Sequence, residues 1–187
     1  MKKLFVLGFV VALLCTGSCM HETKAEHQVQ AEKAAPVLTA AEQQKKAQIE
    51  KALNGPHGAQ IKTAVEKYSK EYKLDKNYVY AIAYTESSFN HRAVSPCGAK
   101  GTMQMLDSTF KARGGTNIWD IDQQIKYGCK HLAGLLAKYK GNVYLATSAY
   151  LMGGGAVDRY KGQTPPAAKH YVQRVFYHKA IIEGANI

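Results

Sequence analysis

The chain has 187 residues, 46% hydrophobic and 21% charged, which suits one packed domain with appendages and excludes a wholly disordered protein. Its 25 Lys and Arg against 14 Asp and Glu give a formal net charge of +11, a field that attracts nucleic acid, anionic membrane or an anionic wall polymer, or simply keeps a basic protein soluble. No nucleic-acid motif, cofactor-binding motif or paired His/Cys metal spacing is written in it, so none of these ligands is expected.

Lys2 and Lys3 precede an apolar run from Leu4 to Leu14, the pattern of a secretory signal and too short for a comfortable permanent span. Thr16, Gly17 and Ser18 then lead to Cys19. This resembles a bacterial lipobox, with Thr16 where a large aliphatic residue is usual, and it implies a lipid anchor at Cys19; ordinary cleavage and free secretion is the alternative. Either route exports the chain, to the periplasm or as an outer-membrane lipoprotein. Residues 20–58 are rich in Ala, Glu, Lys and Gln and carry no sustained apolar face, only a weak helical tendency over Ala40–Leu53. They read as a linker ending near Asn54-Gly55-Pro56.

Residues 59–187 read as one all-α domain. Ile61, Ala64, Val65, Tyr68 and Tyr72 form one apolar helical stripe. Asp75 is placed to cap a second helix whose inner face is Val79, Ile82 and Ala83. A third helix is expected over about Met103–Lys111, and a fourth over Ile121–Tyr139 with Ile125, Cys129, Leu132 and Leu136 on one side. A fifth covers Val143–Leu151 and stops at Gly153-Gly154-Gly155; a sixth starts at Pro165 or Pro166 and runs to about Ile182. Of the four cysteines, Cys15 lies in the signal and Cys19 is the anchor candidate. Cys97 and Cys129 remain in an oxidising compartment, where a disulfide is expected; two small buried hydrophobes are the alternative reading.

Glu86 extends the inner face of the second helix: Val79, Ile82, Ala83 and Glu86 fall at i, i+3, i+4 and i+7. A carboxylate there points toward the core or into a cleft beside it. Desolvation disfavours its charge and raises its pKa, which suits a general acid. A Glu at a helix end, tipped out to water, is the plainer alternative.

The context of Glu86 weighs against that alternative. Glu86-Ser87-Ser88-Phe89-Asn90, then Ser95 through Gly98-Ala99-Lys100-Gly101-Thr102-Met103-Gln104, then Ser148-Ala149-Tyr150 with Gly153 and Gly155-Ala156-Val157, then Tyr171-Val172-Gln173-Arg174-Val175 stand in order along the domain. Together they resemble the soluble lytic transglycosylase family, with its lysozyme-like helical fold of the goose type. The resemblance implies cleavage of peptidoglycan glycan strands between N-acetylmuramic acid and N-acetylglucosamine, leaving 1,6-anhydro ends. It implies Glu86 as the one acid and base, Ser87, Met103, Gln104, Tyr150 and Tyr171 as substrate-binding residues, and Tyr171 as the phenol beside Glu86. A secretion or conjugation apparatus is among the partners such an enzyme serves. The sequence departs from the family at Leu151, where an Asn is usual, at Thr102, where Leu is usual, and at Asp107, where Pro is common. A lysozyme-type hydrolase using a second acid such as Asp107, Asp120 or Asp122 stays open, as does a peptidoglycan-binding or scaffolding protein with impaired catalysis.

Overall fold

The computed structural model describes residues 38–185. The signal segment with Cys15 and Cys19, and residues 20–37 of the expected linker, lie outside them. The described residues form eight helices and no strands: α1 (Ala40–Leu53), α2 (Gly58–Glu71), α3 (Lys76–Ser87), α4 (Asp107–Ala112), α5 (Ile121–Lys138), α6 (Val143–Met152), α7 (Gly154–Asp158) and α8 (Pro166–Gly184). Two isolated antiparallel bridges, Val94 to Lys100 and Lys100 to Met105, shape the loop before α4.

α3 is the axis of the fold. Asp75 caps it, its side chain accepting from the Asn77 N–H at 2.8 Å. Every residue from Tyr78 to Tyr84 is buried. A helix apolar on all sides must be surrounded, and α2 and α8 pack along it while α5 packs on α2. α2 and α5 are strongly one-sided: α2 buries Ile61, Ala64, Val65 and Tyr68, and α5 buries Ile121, Ile125, Cys129 and Leu132. Asp120 and Asn142 cap α5 and α6 through their side-chain oxygens.

The structure corrects three sequence expectations. Residues 40–53 are not a linker. They form α1, opened by a capping box between Thr39 and Glu42 and docked on α2 and α8 through Ile49 and Leu53, 0% and 2% exposed. Two apolar anchors among many polar residues hold this helix, too few to give a readable stripe. The third helix begins at Asp107, not Met103, because Lys100 and Met105 exchange backbone hydrogen bonds at 3.0 Å and Gln104 turns the chain at φ 45°. Cys97 and Cys129 are free thiols. Cys129 sits fully buried on the inner face of α5, whereas Cys97 is exposed in the tight Ser95–Ala99 turn, so the disulfide expected between them is absent. Cys129 matches the alternative reading as a small buried hydrophobe.

Candidate active site

α3 ends abruptly. Ser88 and Phe89 both take left-handed backbone, at φ 51° and 64°, a costly pair for non-glycine residues. Phe89 is held there by burial against Tyr80 and Tyr84. The reversal frees the last turn of α3, with Glu86, from any continuing helix. Beside it lies a cavity of about 540 Å³ bounded by Glu86, the 95–106 loop, His131 of α5 and the end of α6 from Ala149 to Gly153.

The loop is fastened from below. Gly101 has φ 77°, and a Cβ there would lie 2.6 Å from the side chain of buried Gln124. Gln124 in turn accepts the Met103 N–H at 3.1 Å and donates to the Ile118 carbonyl at 2.8 Å. This amide, missed by the sequence reading, stands on the otherwise apolar inner stripe of α5, three residues after Ile121 and four before Gly128. A polar residue at a core register position was the available signal. His131, also missed, continues the same stripe at three residues past Gly128.

Glu86 is partly buried, and its surroundings set its charge. Desolvation pushes its carboxyl up to about 7, opposed by the hydrogen bond from Tyr171 and the positive charge of Arg174. The Tyr171 hydroxyl donates to Oε1 of Glu86. Tyr171 is buried, and its own pKa is raised well above the usual tyrosine value by that burial, the neighbouring carboxylate and the hydrogen bond to it, so it remains a donor. Arg174, one turn along α8, lies with its guanidinium 6.0 Å from the Tyr171 ring.

The other residues singled out from sequence occupy distinct places. Tyr150 lines the cavity and donates to the Met103 carbonyl at 2.8 Å. Gln104 lines it too, with its amide nitrogen donating to the carbonyls of Ala93 and Gly101 at 3.1 and 3.0 Å. Ser87 turns away into the frame, donating to the Thr102 carbonyl at 2.8 Å and the Ala83 carbonyl at 3.3 Å. Met103 is fully buried, and a Cβ on Gly128 would sit 2.8 Å from its side chain, so it belongs to the core beneath the cavity. Leu151 is 46% exposed on the cavity wall and offers no hydrogen bond.

A central buried helix thus brings one carboxylic acid to a cleft, where a tyrosine from the last helix holds it. The transglycosylase SLT domain family matches residues 63–173, more than half of the chain, and the chain belongs to that family. Solved structures share the fold. The lytic transglycosylase Slt of Pseudomonas aeruginosa, determined as an inactive mutant, is 23% identical over 70% of this chain and 25% of its own, with a TM-score of 0.61. The 70-kDa soluble lytic transglycosylase of Escherichia coli is 22% identical over 65% of this chain and 24% of its own, with a TM-score of 0.60. A 70-kDa soluble lytic transglycosylase bound to bulgecin A matches with the same identity and coverage and a TM-score of 0.61. The chain thus spans about a quarter of the length of these proteins.

Proposed function

We propose that the chain is a peptidoglycan lytic transglycosylase that cleaves the β-1,4 bond between N-acetylmuramic acid and N-acetylglucosamine. Glu86 in its protonated form gives its proton to the bridging oxygen. The glycosidic bond breaks, and the leaving sugar departs with a free hydroxyl. The now ionised Glu86 takes the proton of the muramyl C6 hydroxyl as that oxygen bonds to the anomeric carbon. A 1,6-anhydro ring closes, no water is consumed, and Glu86 regains its proton. A tethered nucleophile is already oriented, which is why one carboxylate suffices.

The observation that carries this reading is the state of Glu86: a carboxyl held near 7, facing a cavity in which no other described lining residue is a carboxylate. The three acids that a hydrolase would recruit are engaged elsewhere. Asp107 pairs with Lys100 at 2.6 Å, Asp120 caps α5 by accepting the Gln123 N–H at 2.8 Å, and Asp122 accepts the Tyr68 hydroxyl at 2.6 Å. Export supports the substrate. The Lys2–Leu14 pattern and the lipobox-like Thr16–Cys19 segment support export to the periplasm, with lipid on Cys19 as the anchor to the outer membrane. There it serves wall turnover or opens the wall for a secretion or conjugation apparatus.

Digestion of purified peptidoglycan with mass analysis of the products tests the reading. Disaccharide products lighter by one water than the hydrolytic ones are expected. Ordinary reducing ends would make the protein a hydrolase, and intact strands that still bind the protein would make it a wall-binding module.

A further inference from the structure

The reaction assigned to Glu86 leaves the α5 wall of the cavity without work. His131 lines the same cavity as Glu86 and Leu151. Its ring lies 5.5 Å from that of Tyr150 at an angle of 45°. Its Nδ1 is 3.0 Å from Nη2 of Arg113. A guanidinium can only donate, so Nδ1 is the acceptor and the neutral ring carries its proton on Nε2. Burial first, and the Arg113 charge second, lower the His131 pKa to about 4, so the ring is neutral wherever Glu86 is a useful acid. Nε2 has no protein partner among the described residues, and it is absent from the sealed, unpaired side-chain atoms, which are Asn77 Oδ1 and Thr102 Oγ1. It is therefore accessible to solvent, on a residue that lines the cavity.

Arg113 is itself fixed. It caps α4, its carbonyl accepts from Lys130 Nζ at 2.9 Å, and its guanidinium lies over Gly134, where a Cβ would approach Nη1 to 3.4 Å. Several other donors near the cavity are already committed: Tyr171 to Glu86, Tyr150 to the Met103 carbonyl, and the Gln104 amide to two loop carbonyls. The His131 Nε2–H is a free donor, oriented before any ligand arrives.

We propose that His131 is a substrate-binding residue whose Nε2–H donates to a sugar acetamido carbonyl of the bound glycan, with Arg113 as the positioning residue that fixes its tautomer. The assignment rests on the glycan-cleaving reading above. Two readouts separate the two claims: peptidoglycan cleavage, and binding of an N-acetylglucosamine tetramer by calorimetry in a Glu86→Gln background. His131→Phe keeps a flat ring and loses the donor. It is expected to lower kcat/KM, and to weaken tetramer binding, by about tenfold. His131→Gln returns an amide N–H at the reach of Nε2 and is expected to recover most of both. His131→Asn can still accept from Arg113 but falls short of the Nε2 position, and should resemble the Phe variant. Parent-like cleavage and binding by His131→Phe would overturn the proposal, as would equal impairment in the Phe and Gln variants. Should the Phe variant not fold, the Asn and Gln pair decides, and equal behaviour overturns the proposal. Cleavage that survives Glu86→Gln would sink the reaction reading alone, with tetramer binding still judging His131. A parent protein that binds no tetramer would sink the His131 assignment, whatever it does to peptidoglycan.

Discussion

The two ends of α8 do opposite work with similar packing. Toward its N-terminus, Tyr171 and Arg174 meet the last turn of α3 beside an open cavity. Toward its C-terminus, Lys179 pairs with Asp75 at the start of α3 at 2.9 Å, Ile181 and Ile182 are buried, and α1 covers the flank, with Leu38 reaching to within 3.9 Å of where a Cβ on Gly184 would lie. One end leaves a carboxyl half in the core and half in a cleft, so its charge state becomes adjustable. The other end is closed by aliphatic side chains, and its contribution is cohesion. Chemistry here depends on incomplete covering: a helix like α1 over Glu86 would remove the cavity that lets the acid meet substrate.

The two ends separate most sharply at Glu86. Glu86→Gln retains the size and most of the hydrogen-bonding capacity of the side chain but cannot transfer a proton, and peptidoglycan cleavage is expected to fall by about a thousandfold or more. Circular dichroism should report an unchanged helical fold. Substantial residual cleavage would remove Glu86 from the reaction.

At the other end, Ile49→Ala in α1 should act on stability alone. Ile49 is 0% exposed, and losing it costs about 2–4 kcal/mol, read from urea unfolding. Cleavage measured well below the melting temperature should keep the parental kcat. A folded variant with reduced kcat would mean that the α1 end is coupled to the site.

The same carboxyl makes the cleft end a liability for stability at higher pH. Its ordinary value is 4.5 and its folded value about 7, so between these the folded state holds a proton that the unfolded chain has released. Stability contributed by this group is therefore full below about 4.5 and declines as pH rises toward 7. Glu86→Gln lacks the titration. Its advantage over the parent in urea unfolding should grow across that window, reaching up to about 3 kcal/mol, and less where cavity water screens the charge. An advantage independent of pH would show that Glu86 is not desolvated.

These two ends differed in how much of them could be read from the sequence. Glu86 was legible because Val79, Ile82 and Ala83 mark the inner face of its helix and because Asp75 announces the start of that helix. The bodies of α2 and α5 followed from apolar stripes in the same way, and α6 and α8 from the glycine and proline signals at their ends. α1 was not legible as a packed element, since its burial rests on Ile49 and Leu53 with the rest of the helix polar. α7 and the late start of α4 depend on backbone turns at Gly153 and Gln104, φ 81° and 45°, which leave no periodic trace. The cysteine pairing failed because compartment argues for oxidation but says nothing of where two side chains point. The supports of the cavity, Gln124 and His131, were written as polar residues on the α5 stripe; their meaning appears only once the loop and Arg113 are folded against them.

The smallest expected effect lies at Tyr171, in the cleft end. Tyr171 both orients Glu86 and stabilises its charged form, because its hydroxyl donates to the carboxylate. Tyr171→Phe removes that donor while the ring keeps its place in the core. Peak activity should drop roughly tenfold as the carboxyl loses its fixed orientation. The pH profile carries the more specific signal. The Tyr171 hydrogen bond lowers the Glu86 pKa, so its loss should raise that pKa further, and the alkaline limb of kcat/KM, which falls as Glu86 ionises, should move to higher pH. A tyrosine that served only as packing would change the height of the profile and leave the limb where it was. A limb that moved to lower pH would mean that the phenol favours the protonated carboxyl, and the acid would then owe its proton to Tyr171 more than to the apolar face of α3.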